Sequence, residues 1–294
     1  MLPIVATLAS MVLLAVFATR HFASARAGVI AAVLFAAMPV VWLAVGGGAT
    51  QIVLVPFGMA SLLAFDLFHR GGNWKWLVLA GAAMAQMLYW HLAGLVLAPV
   101  YLAVGSLILL PGRSPILRVG ALTAGFALVS LPWAVGLLRD PRWLIESINA
   151  FGLYDANRFN LLQGMREMTS WTGLTVRSEM YWDSFNPALL FLGSGGLGQS
   201  LIGSGVFLLP FAVPLVRGLV AYLLYPRDAM DWLVLGTLAA APVGAALIAQ
   251  PSAPRLILLA PAAAIIATRG CYPGAFRITA AASPATPAIA ATRP

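Results

Sequence analysis

The sequence predicts an all-α fold: a polytopic bundle of transmembrane helices with one long extracytoplasmic loop that contains short interfacial helices. Hydrophobic residues make up 61% of the chain and charged residues only 9%, whereas soluble domains carry about 25% charged residues. Apolar stretches of about 17–25 residues with few charges recur along the chain, which is typical of membrane spans. The net charge of +8 is spread as single or paired basic residues between these stretches. This pattern indicates membrane topology, and we expect no nucleic acid partner.

The apolar stretches predict about nine spans. The second and third are separated by a glycine cluster at residues 46–48, and the fourth and fifth by an aromatic turn at residues 89–91. Each pair could be a tight hairpin, so a lower number of spans is the alternative. The predicted spans lie near residues 2–18, 28–46, 50–68, 75–90, 92–111, 119–138, 204–225, 231–249 and 255–269.

The charges of the loops predict the orientation of the bundle. The loops after the first, third and fifth spans hold basic residues, whereas the turns after the second and fourth hold none. Short loops rich in Lys and Arg stay in the cytoplasm. We therefore expect a multi-pass membrane protein with a cytoplasmic C-terminus. The basic loop residues are Arg20, Arg26, Arg70, Lys75, Arg113 and Arg118.

This topology divides the chain into four parts. Residues 1–138 are predicted to form the N-terminal transmembrane helices and residues 204–270 the C-terminal ones. Residues 139–203 between them form the extracytoplasmic loop, which holds six of the nine acidic residues. Residues 271–294 are rich in Ala, Pro and Thr, and we expect a disordered cytoplasmic tail.

His91 and Arg255 are ionisable residues at predicted span ends on the outer side. His91 follows Tyr89 and Trp90, so it either contacts substrate at membrane depth or belongs to an interfacial aromatic belt. Arg255 opens the last span, where a cation opposes the helix dipole. A phosphate group would stabilise this guanidinium, and an ion pair with an acid of the outer loop is the alternative.

Other motifs carry little functional information. Residues 193–198 read GSGGLG, but this glycine pattern indicates a dinucleotide site only between a strand and a helix, so we interpret it as a turn at the membrane. Asp66 is expected to pair with Arg70 one helical turn later. The sequence contains no motif for an organic cofactor and none for a metal site, and no span has an acid at its centre, which argues against a transporter.

Three patches combine aromatic, Pro and Gly residues with an apolar background. The first is a helix rich in small residues, an aromatic–His turn and a further helix: LAGAAMAQMLYWHLAGLVLAPVYLAV. The second carries a Tyr, a Phe-Asn-Pro turn and an apolar run: MYWDSFNPALLFLGSGGLGQSLIGSGVFLLPFAVPLVRGL. The third places an Arg before a Pro-containing terminal helix: LAAAPVGAALIAQPSAPRLILLAPAAAIIATRG. In this order, over most of residues 1–270, they resemble the GT-C glycosyltransferases, particularly the bacterial relatives of protein O-mannosyltransferases.

The resemblance implies a membrane enzyme that transfers a sugar from a polyprenyl-phosphate carrier to a lipid or protein acceptor on the outer face of the membrane. The carrier-linked sugar is then the substrate, and membrane lipids surround the protein. The resemblance to bacterial relatives also implies a location in the bacterial inner (plasma) membrane. The outer-loop aromatic segment would cover a membrane-embedded cavity in which rings stack on sugar or prenyl groups. The substrate-binding residues that the resemblance implies are His91, Tyr181, Trp182, Phe185, Asn186 and Arg255.

The resemblance leaves the catalytic acid without a matching position. Members of the family carry it in the first outer loop after an initial span, and this chain begins at the counterpart of a later helix. Asp155, Glu179 and Asp183 of the outer loop are the substitutes that the sequence offers. The chain is therefore expected to be truncated, to be completed by a partner, or to have lost catalysis. The alternative function is a non-catalytic scaffold subunit in a complex with other membrane subunits.

Overall fold

The fold is given by a computed structural model that describes residues 1–47, 49–112, 114–140, 142–151, 154, 160–193, 205–225, 228–247 and 256–271. Within these residues the chain forms helices and turns and no strand. This confirms the all-α class that the composition predicted.

The first predicted spans form four helices. Helix α1 is Leu2–His21, and α4 is Leu54–Gly71, which continues from a turn of 3₁₀-helix at Thr50–Val53. The predicted second span is broken into α2, Ala25–Ala36, and α3, Pro39–Gly46, which meet at an angle of 56°. Because proline cannot donate a backbone hydrogen bond and is well tolerated at the start of a helix, the chain bends where α3 begins with its proline.

The next three helices are α5, α6 and α7. Helix α5, Lys75–Gln86, ends in a turn of 3₁₀-helix at Met87–Tyr89. Helix α6 is Leu92–Leu109, and α7 is the longest, Pro115–Arg139. The aromatic turn predicted at residues 89–91 thus separates two helices.

The predicted outer loop contains short helices, as expected. They are α8, Arg142–Phe151, α9, Leu161–Met168, and α10, Trp171–Asp183. Asn160 caps α9 by accepting from the backbone N–H of Gln163, and the Gln163 side chain accepts in return from the backbone N–H of Asn160. Such capping stabilises a short helix. A π-helical turn follows α10 at Ala188–Leu192.

The remaining helices complete the bundle. Helix α11 is Ala212–Leu224, and α12, Ala229–Ala240, is followed closely by α13, Val243–Leu247. The last helix in the described part of the chain, α14, is Leu259–Cys271, and its residues from Leu259 to Gly270 are buried. Helix α14 packs against α1, α2, α11 and α12, so it lies at the centre of this part of the bundle.

The predicted count of nine spans is not confirmed. In the described part of the chain, four helices are long and apolar enough to cross a membrane, or five if the bent α2–α3 pair is one span. Helices α5, α11 and α14 have only 12 or 13 residues. At about 1.5 Å per residue they reach about 20 Å, less than the hydrocarbon core of about 30 Å.

Two helix crossings are formed through glycines. A Cβ atom on Gly81 of α5 would overlap the carbonyl oxygen of Leu122 in α7, and one on Gly125 of α7 would overlap the carbonyl oxygen of Val78 in α5. Small residues let helix backbones approach closely, which is how helices associate in lipid. Gly218 and Gly270 bring α11 and α14 together in the same way.

Ion pairs around the buried carboxylate of Asp66 join the helices at one end of the bundle. Asp66 of α4 accepts from Nε of Arg70 and from Nε of Arg20 at the end of α1, both at 2.8 Å. The expected pair of Asp66 with Arg70 is therefore confirmed, and Arg20 adds a contact between helices. Since Arg20 and Arg70 come from two different predicted cytoplasmic loops, the pairs bring these loops to one end.

A second cluster of charged residues lies at the same end and includes His21, the residue that follows Arg20 in α1. Nη1 of Arg269 donates to Oδ2 of Asp231 at 2.8 Å, and Nε2 of His21 lies 3.1 Å from Oδ1 of Asp231. The guanidinium of Arg269 stands over the ring of Tyr222 at 4.4 Å, and the Tyr222 hydroxyl lies 3.1 Å from Nε2 of His21. Helices α1, α11, α12 and α14 are thereby linked, and we name the end that holds both clusters the charged end.

Candidate functional site

The other end of α7 borders a cavity of about 320 Å³. Helix α7 begins at the charged end, where Arg118 stands over Phe68 of α4, and it ends beside the 3₁₀-helical turn that follows α5. The two elements line this cavity, which is open on one side, and we name it the aromatic cavity. Its lining residues are Leu88, Tyr89, Trp133, Gly136, Leu137 and Asp140.

The turn that forms one wall is held tightly against the start of α6. The side chain of His91 caps α6, with Nδ1 accepting from the backbone N–H of Ala93 at 2.9 Å. A Cβ atom on Gly94 would overlap the carbonyl oxygen of Met87, so this close approach requires glycine. The sequence Met87 to Gly94 therefore folds into a compact turn with a defined position.

One hydrogen bond and one ring contact orient this turn. The Tyr89 hydroxyl donates to the carbonyl oxygen of Val129 in α7 at 2.6 Å. The Trp90 ring stacks on Phe57 of α4 with 6.2 Å between ring centroids. Tyr89 is thus fixed across the cavity wall, although 44% of its surface remains exposed.

Asp140 supplies the acidic group of the cavity. Its backbone N–H donates to the carbonyl oxygen of Gly136 at 3.0 Å and so ends α7. Its Oδ1 accepts from the backbone N–H of Arg142 at 3.2 Å, which positions the carboxylate at the start of α8. Asp140 is exposed, so its carboxylate is accessible to a molecule in the cavity.

This arrangement combines chemical groups that suit a sugar bound near apolar chains. Tyr89 and Trp133 contribute aromatic side chains to the lining, and Leu88 and Leu137 add aliphatic ones. A carboxylate accepts hydrogen bonds from hydroxyl groups and serves as a general base when it lies within reach of the proton. Asp140 is the acidic lining residue.

The predicted residue His91 lies at the start of α6, two residues after Tyr89, and is not among the residues that line the cavity. Its Nδ1 acts as a helix cap, a role that neither alternative in the sequence analysis included. Helix α13 packs against both α6 and α10. The His91 turn and the predicted aromatic segment are thereby connected through α13.

The predicted residues of α10 come together as an aromatic cluster. Tyr181 makes edge-to-face contacts with Trp182 at 5.2 Å and with Phe185 at 5.5 Å between ring centroids. The Tyr181 hydroxyl donates to the carbonyl oxygen of Ala239 in α12 at 2.9 Å. Burial raises the pKa of Tyr181, which keeps the phenol protonated as a donor. Tyr181 therefore anchors α10, whereas Trp182 remains 67% exposed.

The remaining predicted residues lie apart from the aromatic cavity or outside the described residues. Asn186 caps the π-helical turn, with its side-chain oxygen accepting from the backbone N–H of Ala188 at 2.9 Å. Glu179 and Asp183 are exposed on α10 and do not line the aromatic cavity. Asp155 and Arg255 are outside the described residues, as is most of the glycine motif at 193–198.

Asp140 was missed in the sequence analysis. The predicted sixth span ends at residue 138, so Asp140 is the first acid on the predicted outer side, and that position is the signal that could have found it. Its proximity to Tyr89 could not be read from the sequence, because about fifty residues separate them. In the described part of the chain, no group of three or more His, Cys, Asp or Glu residues could hold a metal ion.

Comparison with known proteins gives one match. No curated protein and no solved structure matches the chain. Residues 1–135 match the family model of the dolichyl-phosphate-mannose-protein mannosyltransferases. These residues contain α1–α6, most of α7, and Tyr89 and Trp133 of the aromatic cavity. The match supports a membrane glycosyltransferase-like role and confirms, for residues 1–135, the predicted resemblance to the protein mannosyltransferases.

Proposed function

We propose that this protein transfers a sugar from a polyprenyl-phosphate carrier to a hydroxyl group of a lipid or protein acceptor, and that the aromatic cavity is its active site. The observation that carries the proposal is the position of Asp140 beside Tyr89 and Trp133 in one cavity. The family match supports the reaction class, since its members are described as mannosyltransferases that use a lipid-phosphate-linked sugar.

In the proposed reaction Asp140 is the general base. It accepts the proton of the acceptor hydroxyl, and the hydroxyl oxygen forms a bond with the anomeric carbon of the sugar. The bond between that carbon and the phosphate oxygen breaks, and polyprenyl phosphate leaves with the electron pair. A positioned base contributes about 10²- to 10⁴-fold to such a step. The hydrogen bond from Arg142 N–H holds the carboxylate in place.

Helix α7 offers an apolar surface for the isoprenoid chain of the carrier. Leu128, Leu131 and Leu138 of this helix are between 61% and 84% exposed. In a bilayer these side chains would lie against lipid tails, which an isoprenoid chain resembles chemically. The carrier can therefore lie along α7 with its phosphate and sugar near the cavity.

The proposal includes a bacterial inner membrane location with the aromatic cavity outside and the C-terminus in the cytoplasm. It rests on the basic residues of the charged end, which the positive-inside rule assigns to the cytoplasm. The aromatic segment of α10, with exposed Trp182, is proposed to contact the acceptor. His91 and Arg255 stay predictions as substrate contacts.

The test is sugar transfer by the Asp140→Asn variant. Asn retains the side-chain oxygen that accepts from Arg142, so the start of α8 is preserved, but it cannot accept the proton. With radiolabelled polyprenyl-phosphate mannose and native membranes as the acceptor source, we expect transfer to fall about 100-fold or more. Glu146→Gln removes another exposed acid of the outer segment and is expected to retain wild-type transfer.

Equal rates for wild type and Asp140→Asn would contradict the role of Asp140. A wild-type protein that turns over no carrier-linked sugar but co-purifies in fixed ratio with other membrane subunits would instead favour the non-catalytic scaffold.

A further inference from the structure

A second cavity lies at the charged end, remote from the aromatic cavity. It has a volume of about 240 Å³ and lies between the ends of α4 and α6 and the starts of α7 and α12. Phe65 and Phe68 of α4 and Met230 of α12 supply apolar walls, and Arg118 and His69 supply polar groups. The cavity is thus amphipathic, with a fixed cation beside aromatic and aliphatic surfaces.

Arg118 is held in a defined position at this cavity. Its guanidinium carbon lies 5.4 Å from the ring centroid of Phe68. Gly112 lies so close to Nη1 of Arg118 that an added Cβ atom would overlap it. Within the described residues, Arg118 forms no ion pair with a carboxylate. The cation is therefore positioned by packing rather than by a counter-ion.

The acids at this end are engaged elsewhere. Asp66 is shared by Arg20 and Arg70, and Asp231 is bonded to Arg269. Asp228 caps α12 by accepting from the backbone N–H groups of Met230 and Asp231. These three carboxylates therefore do not neutralise the guanidinium of Arg118, which can attract an external anion.

We propose that this cavity binds the phosphate headgroup of an anionic phospholipid, with the start of its acyl chains against Phe65 and Met230. The planar guanidinium of Arg118 matches the geometry of a phosphate group and can donate two parallel hydrogen bonds to it. His69 adds a ring N–H donor on the same cavity. Basic pockets between membrane helices at the cytoplasmic surface are suited to anionic lipid headgroups. The positive charge of this end favours their approach.

This proposal does not depend on sugar transfer, because the two cavities lie at opposite ends of α7. It is tested by titrating short-chain phosphatidylglycerol into the purified, detergent-solubilised full chain and counting bound lipids by native mass spectrometry. Arg118→Gln is expected to raise the apparent Kd about tenfold, since it removes a charge-assisted hydrogen-bond donor. Arg26→Gln removes one positive charge from an exposed residue outside the cavity and is expected to leave the Kd unchanged.

A second variant tests the cavity without changing Arg118, in case Arg118→Gln does not fold. Ala229→Phe fills the cavity and keeps every charge, and it is expected to weaken phosphatidylglycerol binding as well. Inorganic phosphate at the same concentration should not displace the lipid, because it makes no contact with the apolar walls. Equal Kd values for Arg118→Gln and Arg26→Gln would overturn the proposal, and so would displacement by inorganic phosphate, which would assign the cavity to a free anion.

Discussion

Asp66 has only 1% of its side chain exposed and is held between the guanidinium groups of Arg20 and Arg70. Nη2 of Arg70 also donates to the carbonyl oxygen of Arg20 at 2.6 Å. The pair with Arg70 could be predicted from the sequence because residues four apart share a helix face. The contact with Arg20, 46 residues away, could not, since it depends on how α1 and α4 pack.

Replacing Asp66 by Asn is expected to destabilise the bundle. Removing one member of a buried ion pair costs about 3–5 kcal/mol, and the partial exposure of both arginines reduces this to about 2–3 kcal/mol. The unfolding temperature in detergent, followed by size-exclusion chromatography after heating, should fall by several degrees. Glu146→Gln, at an exposed position, is the control. An unfolding temperature equal to that of the control would contradict a stabilising role for the Asp66 cluster.

The candidate site likewise depends on contacts between residues that are far apart in the sequence. The sequence drew attention to the turn from Tyr89 to His91 but not to Trp133 of α7, and it did not assign the role that any of these residues has in the structure. Tyr181 turned out to anchor α10 through Ala239. Asp140 gained its candidate role only from the cavity that it shares with Tyr89.

Among the secondary-structure elements, hydropathy predicted the positions of the helices more accurately than their lengths. Each apolar stretch contains helix, but the predicted second span is broken before Pro39. By contrast, Pro99 of α6 and Pro132 of α7 lie inside continuous helices. Neighbouring helices can compensate for the missing hydrogen bond in such cases, so the sequence alone could not distinguish the break from the tolerated prolines.

The close contact between α5 and α7 can be tested by replacing its two glycines. Gly81→Ala and Gly125→Ala each place a methyl group against a backbone carbonyl of the other helix. Because backbone cannot yield as a flexible side chain does, we expect each variant to lose stability by about 1–3 kcal/mol, measured by thermal unfolding in detergent. Gly120→Ala is the matched control on α7, since an added Cβ atom there meets nothing within 4 Å.

The control should be as stable as wild type or slightly more so, because alanine favours a helix over glycine. If Gly81→Ala and Gly125→Ala also retained wild-type stability, the close contact of these two backbones would not exist in the membrane.

At the scale of the whole molecule, the two ends of the bundle differ in chemistry. The charged end collects Arg20, Arg70, Arg118 and Arg269 with the acids Asp66 and Asp231. The other end presents the aromatic turn, the end of α7 and the aromatic residues of α10. The sequence could predict this polarity because it follows from loop composition. It could not predict the cavities, because each is formed by elements far apart in the chain.

Photoaffinity labelling can test whether the aromatic cavity binds a polyprenyl-phosphate-linked sugar. A polyprenyl-phosphate mannose with a photoreactive group on the sugar is irradiated with the purified protein, and the labelled peptides are identified by mass spectrometry. Two glycines of α7 provide matched variants. Gly136 lines the cavity, so the side chain of Gly136→Leu would occupy part of it, whereas Gly120 does not line the cavity. An added Cβ atom meets nothing within 4 Å at either position, so both variants should fold.

If the sugar binds in this cavity, we expect labelling of residues 88–91 and 133–140. Unlabelled carrier should compete this labelling away, Gly136→Leu should abolish it and Gly120→Leu should preserve it. Labelling spread along the exposed face of α1, or labelling that is equal in the Gly136→Leu and Gly120→Leu variants, would contradict binding in the aromatic cavity.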